Sequence, residues 1–108
     1  MIPAMDFDMA VTEHPDGTAE VALRGELDLA SGPRVQAELT RLIEAGATLR
    51  LDLSELDFMD SAGLVAILSA VQRARQREAS FEVGRSLRPS VRRLFELTRS
   101  DEFLWPAA

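Results

Sequence analysis

The residues best equipped for chemistry lie close together. The segment LDLSELDFMDSAGL, residues 51–64, carries Asp52, Glu55, Asp57 and Asp60, then a single hydroxyl, Ser61, followed by Ala62, Gly63 and Leu64. Clustered carboxylates can hold Mg²⁺ or Ca²⁺ through their oxygens, but these lack the spacing of an EF-hand loop and its distal Glu. A solvated loop is the expected setting. A nucleophilic serine needs a base within hydrogen-bond reach. His14 is the only histidine, it falls in a predicted hairpin turn, and DSAGL is not a GxSxG elbow. With no cysteine to join that histidine, a zinc site is not expected either. GRSLRPS, residues 84–90, lacks the Gly-Lys pair of a phosphate-binding loop, and no GxGxxG follows a strand. The expected catalytic residues, metal ligands and cofactors are therefore none, and the chain is not expected to be an enzyme.

Two readings of Ser61 stay open on the residues alone. Asp60 or Ser61 can cap a helix by accepting a hydrogen bond from its first-turn amides, worth about 1 kcal/mol. A cap explains Asp60. It explains less well a second capping residue directly after it, or Gly63 in the first turn. Glycine costs helix stability there but lets another backbone approach closely. The alternative is a modification site.

The elements that must position this segment follow from periodicity. FDMAVT (7–12) alternates, HPDG (14–17) is a turn signal, and AEVALRG (19–25) alternates again, so the three predict a β-hairpin. Ser31 or Gly32 is expected to cap a helix with Pro33 in its first turn, Val35, Leu39, Leu42 and Ile43 on its apolar face, and Gly46 at its end. TLRLDLS (48–54) predicts a third strand, with Leu49, Leu51 and Leu53 facing opposite to Arg50 and Asp52. A second helix is expected from about Ser61, striped by Leu64, Leu68 and Val71, with Leu64 on the exposed side of its first turn. The cations of QRARQR (72–77) fall in its last turn. SFEVG (80–84) predicts a fourth strand. Pro89 opens a third helix with Val91, Leu94, Phe95 and Leu97, and FLW (103–105) is at most a short terminal strand.

Helices that alternate with strands after the first hairpin imply crossovers and some parallel pairing. Strands that alternate apolar with polar imply a sheet wet on one face. The expected fold class is α/β, with α+β character: a small mixed sheet of four or five strands with three main helices, mostly on one face. It is not a doubly wound nucleotide-binding fold.

Composition agrees. A chain of 108 residues, 46% hydrophobic and 28% charged, suffices for one domain with one core. No apolar run approaches the ~18 residues of a membrane span, and MIPAMDFDM has no basic residue before an apolar stretch, so neither a span nor a signal peptide is expected. With no disulfide framework, the expected location is cytoplasmic. A net charge of −6 argues against direct nucleic-acid binding. The charge is uneven: residues 1–60 hold 13 acidic and four basic side chains, and residues 61–108 hold five acidic and eight basic, all of the basic ones Arg. Such polarity can steer a protein partner.

RGELDLASGP (24–33), LRLDLSELDFMDSAGL (49–64) and SVRRLFELTRSDEFL (90–104) together resemble a STAS domain, most closely the stand-alone bacterial anti-sigma factor antagonists. The resemblance spans the chain as a single STAS domain, 1–108, with a core of about 5–105. It implies phosphorylation of the serine after the Asp of the D-S-x-G block, here Ser61. It further implies that the unphosphorylated form captures an anti-sigma factor that is also a GHKL-type serine kinase, and so frees a sigma factor; a PP2C-like phosphatase would reverse the modification. The partner-binding residues it implies are Asp57, Asp60, Ser61, Ala62, Gly63 and Leu64. Some features depart from that pattern. Ala62 stands where many switching members carry Ser or Thr, Val65 stands where Gly is usual, and the chain stops at Ala108, short of a terminal helix common in the family. These keep a second role in view, a non-switching STAS subunit of a lipid-transport or stress-sensing complex.

Overall fold

The computed structural model describes residues 7–106. The expected start of the domain core, near residue 5, lies outside the described residues. The elements run β1 (Phe7–Glu13), β2 (Thr18–Leu27), α1 (Gly32–Glu44), β3 (Thr48–Met59), α2 (Ser61–Gln76), β4 (Phe81–Val83), α3 (Pro89–Leu97) and α4 (Ser100–Leu104). The strands form one sheet in the order β1-β2-β3-β4. β1 pairs antiparallel with β2 through the HPDG turn, where Gly17 adopts φ +92°. β2 with β3 and β3 with β4 pair in parallel, each pair joined across a helix.

Alternation sets the two faces. Ala19, Val21 and Leu23 of β2 and Leu49, Leu51 and Leu53 of β3 are buried in one core with Val35, Leu39 and Leu42 of α1, Ile67 and Val71 of α2, and Val91 and Phe95 of α3. The opposite face is wet. Arg50 and Asp52 are exposed, and ion pairs cross the strands there from Arg24 to Glu55 (3.6 Å) and from Arg50 to Glu82 (3.7 Å). The mixed four-stranded sheet with its helices is thus the expected architecture.

Local chemistry explains where the elements stop. α1 ends in a Schellman motif: Gly46 (φ +85°) donates its amide to Ile43 O, and Ala47 donates to Leu42 O. At its start, neither expected cap acts as one. Gly32 is already the first helical residue, and Ser31 holds the N-cap position without a side-chain cap bond. The Ser31 hydroxyl instead donates to Glu26 O (3.0 Å) and accepts the Asp28 amide (2.9 Å), pinning the β2–α1 loop.

Two further expectations need correction. FLW is no strand: Phe103 and Leu104 close the short α4, and Trp105 follows it. The Trp105 indole donates to Val83 O (2.8 Å) and meets Phe95 edge-on at 5.9 Å, which fastens the C-terminal segment to β4 and the core. The expected carboxylate loop is also absent, because β3 runs on to Met59 and carries Asp52, Glu55 and Asp57 as strand residues. Two register shifts explain this. Ala22 faces Asp52 and Arg24 faces Glu55; then Gly25 faces Leu56 and Glu26 faces Phe58. Each shift inserts one extra residue into β3, so its buried positions run 49, 51, 53, 56 and 59 and the period of two is lost.

Candidate functional site

The parallel strands β2 and β3 end side by side, and the helix following each begins there. Asp60 directly follows β3 and donates its amide to Leu27 O at the end of β2 (3.1 Å). Its own conformation is extended, and its carboxylate accepts the Gly63 amide (2.9 Å). Asp60 is therefore the N-cap of α2, and Ser61 is the first residue inside the helix.

That assignment removes the cap as a role for the Ser61 side chain. The cap is occupied by its neighbour, Ser61 is exposed, and its hydroxyl makes no hydrogen bond among the described residues. By helix geometry the amides of Ser61 and Ala62 have no intrahelical acceptor. They lie at the positive end of a 16-residue helix, a setting that favours an anion.

Gly63 has a specific reason to be glycine. A Cβ at this position would sit 2.5 Å from Leu27 O and 2.8 Å from the Leu27 side chain. The first turn of α2 is seated directly on the end of β2, and only a residue without a side chain permits it. On the other side, a Cβ on Gly32 of α1 would lie 3.4 Å from Ala62 O, so the two helix starts also touch.

The remaining expected site residues are placed differently. Leu64 is not exposed: it is 6% accessible, and Val65 beside it is 57% accessible. Helix phase explains the difference. With Gly63 seated on Leu27, the buried stripe runs through Ala66, Ile67, Ala70, Val71 and Ala74, which carries Leu64 inward and Val65 outward. Asp57 forms an ion pair with Arg88, and its backbone carbonyl accepts the Ser90 hydroxyl (2.7 Å). Asp57 is thus tied to the start of α3. Asp52 accepts the Ser54 amide (2.9 Å) and Glu55 faces Arg24, so each carboxylate of the cluster already has a partner within the fold.

The structure adds residues that sequence patterns did not single out. Leu29, in the β2–α1 loop, is 76% exposed and Phe58 is 45% exposed. With Val65 they give three large apolar side chains in water at the end of the sheet that carries Ser61. Periodicity offered a signal only for Phe58, next to a buried Met59; Leu29 lies in a loop, where no period applies. Asp28 shapes that loop by accepting the amides of Ser31 (3.1 Å) and Ala30 (3.0 Å). The Ser31 amide above all holds the Asp28 carboxyl below the usual carboxylate range.

This arrangement is an exposed serine at the start of a helix that is seated on the end of the sheet. A family model described as "Mlab, STAS domain" matches residues 10–106. The chain belongs to the STAS domain family. Among similar proteins, the anti-sigma-B factor antagonist of Listeria monocytogenes is 32% identical over 95 residues, covering 87% of this chain and 82% of the relative. The Bacillus subtilis anti-sigma-B factor antagonist is 32% identical over 94 residues, covering 87% and 84%. In three dimensions this STAS domain resembles the crystal structure of an anti-sigma factor antagonist from Mycobacterium paratuberculosis. The TM-score is 0.78 at 25% identity, over 99% of this chain and 92% of the other. Among the described residues of the STAS domain, no helix is long and apolar enough to cross a membrane.

Proposed function

We propose that this protein is a phosphorylation-switched anti-sigma factor antagonist. Its unphosphorylated form binds an anti-sigma factor that is also a GHKL-type serine kinase, and so frees a sigma factor; Ser61 is the residue modified, and a PP2C-like phosphatase restores it. The protein itself supplies no catalytic group. The observation that carries this reading is the division of labour at the start of α2: Asp60 caps the helix, leaving the Ser61 hydroxyl exposed and unused. Relatives that bear the name anti-sigma-B factor antagonist, at 32% identity over most of the chain, support the same role.

The chemistry follows from charge. Phosphoserine brings about −1.5 to −2 charge and three acceptor oxygens. At a helix N-terminus that charge is accommodated, so α2 persists. The effect falls on the partner, whose surface fits a neutral hydroxyl together with the exposed apolar side chains of Leu29, Phe58 and Val65. An unpaired charge in such an interface costs about 2–5 kcal/mol, roughly a thirtyfold to several-thousandfold loss of affinity.

The test is titration of a GHKL-type anti-sigma kinase with wild-type, Ser61→Ala and Ser61→Asp proteins, alongside labelling with ATP. One phosphate is expected, at Ser61. Ser61→Ala abolishes labelling and keeps binding, whereas Ser61→Asp weakens binding by less than the phosphate does. Equal affinity for all three proteins would refute the switch and favour a constitutive STAS subunit.

A further inference from the structure

The second register shift in β3 inserts its extra residue four positions before Ser61, and it is held from outside the sheet. Gly25 faces Leu56 and Glu26 faces Phe58, so Asp57 is the extra residue of this bulge. Both of its polar ends are taken by the start of α3. The Arg88 guanidinium pairs with its carboxylate, and the Ser90 hydroxyl donates to its carbonyl (2.7 Å). Arg88 is the N-cap residue of α3 and Ser90 its second residue, after Pro89. Gly25, opposite the bulge, has φ +90°. A bulge bends its strand and re-aims the residues that follow. Those that follow here are Phe58, exposed; Met59, buried; Asp60, the cap; and Ser61.

We propose that Arg88 and Ser90 are positioning residues for the Ser61 surface: by clamping the Asp57 bulge they fix the strand end that presents Phe58 and Ser61 to the partner. Asp57 then acts inside the fold as the clamped residue. The start of α3, on the far side of β4 in sequence, becomes part of the machinery that sets how well Ser61 is recognised. This inference rests on the proposed function for its consequence, but its structural half can be tested without a kinase.

The test uses wild-type, Arg88→Gln, Arg88→Lys and Ser90→Ala full-length proteins. Amide hydrogen exchange is followed at Asp60 and Gly63, whose bonds to Leu27 O and the Asp60 carboxylate report on the helix start, with the Leu49 amide, bonded to Ser80 O, as internal reference. Exchange at Asp60 and Gly63 should quicken about threefold to tenfold in Arg88→Gln and in Ser90→Ala, the scale expected for one lost exposed ion pair or hydrogen bond. The reference should not move, and Arg88→Lys should recover most of the protection. With the kinase, Arg88→Gln and Ser90→Ala should each raise the KM for phosphorylation by a similar factor while kcat stays unchanged. Quickening spread evenly over the domain, or none at Asp60 and Gly63, overturns the clamp. So does a KM effect confined to Arg88, which marks direct contact with the partner. If the wild-type protein is not phosphorylated at all, the proposed function fails, and the exchange measurement still decides the clamp.

Discussion

Asp60 and Ser61 are adjacent and both able to cap, yet only Asp60 does so. Substitutions at the start of α2 should separate the two roles. Asp60→Ala removes the bond to the Gly63 amide and should cost about 1 kcal/mol of stability. Ser61→Ala removes an exposed, unbonded hydroxyl and should stay within about 0.5 kcal/mol. Gly63→Ala forces a methyl against Leu27 and should cost about 1–3 kcal/mol. Urea denaturation of the three variants gives the ranking, and a Ser61→Ala loss as large as that of Asp60→Ala would show the hydroxyl to be structural after all. The pair of capping residues and the odd glycine were visible in the sequence as a junction with too many special residues. Which of the two caps was not, because capping depends on the chain's direction into the helix. The facing of Leu64 was hidden for a related reason. Bulky aliphatics drew the expected stripe, whereas the buried face of α2 also takes in Gly63, Ala66, Ala70 and Ala74, small residues that let it approach its neighbours closely.

Among the elements, those with an unbroken period were legible: the hairpin, α1, the first half of β3, and α3 from Pro89. The second half of β3 was not. Each bulge adds a residue that a count of two cannot absorb, and the pairing that makes ELDFM a strand lies with β2, some thirty residues earlier in the chain. The C-terminal FLW failed differently. Three apolar residues fit either period, and only the Arg99 backbone at φ +58° turns the chain into α4. That last element earns its place through Trp105. Trp105→Phe keeps the edge-on contact with Phe95 but loses the bond to Val83 O, leaving that carbonyl less well satisfied. The expected loss is about 1 kcal/mol, read as a lower urea midpoint by circular dichroism. An unchanged midpoint would mean the indole serves only as packing.

At the scale of the whole molecule, charge patterning separates a wet, ion-paired sheet face from the helical layer. Four carboxylates are held below their ordinary range: Asp16 chiefly by the Thr18 amide, Asp28 chiefly by the Ser31 amide, Glu38 by Arg41 (2.7 Å), and Glu44 by Arg73 (2.8 Å). The sign follows directly. A folded-state pKa below the unfolded value gives stability that is complete above the unfolded pKa and lost as pH falls through the folded one. Since unfolded carboxylates titrate near about 4, this contribution should be constant above roughly pH 5 and decline below roughly pH 4. Melting curves from acid to neutral pH measure it. Glu38→Gln and Glu44→Gln should each flatten the acid limb, and a limb left equally steep in both would remove these pairs as its cause. The sequence announced the excess of acidic residues in its first sixty positions, but not which of them meet an arginine, because those meetings join residues as far apart as Glu44 and Arg73.

The seat of Gly63 on Leu27 has a temporal consequence for the proposed switch. The first turn of α2 is seated on the sheet, so under the proposed switch adding or removing phosphate would rewrite a surface and leave the scaffold in place. No slow refolding step stands between the two states. Whatever the partner senses is stored in one covalent bond, with no memory in the fold once that bond is gone. Under that proposal, response time would belong wholly to the kinase and the phosphatase, and the domain would cycle as fast as those enzymes turn over.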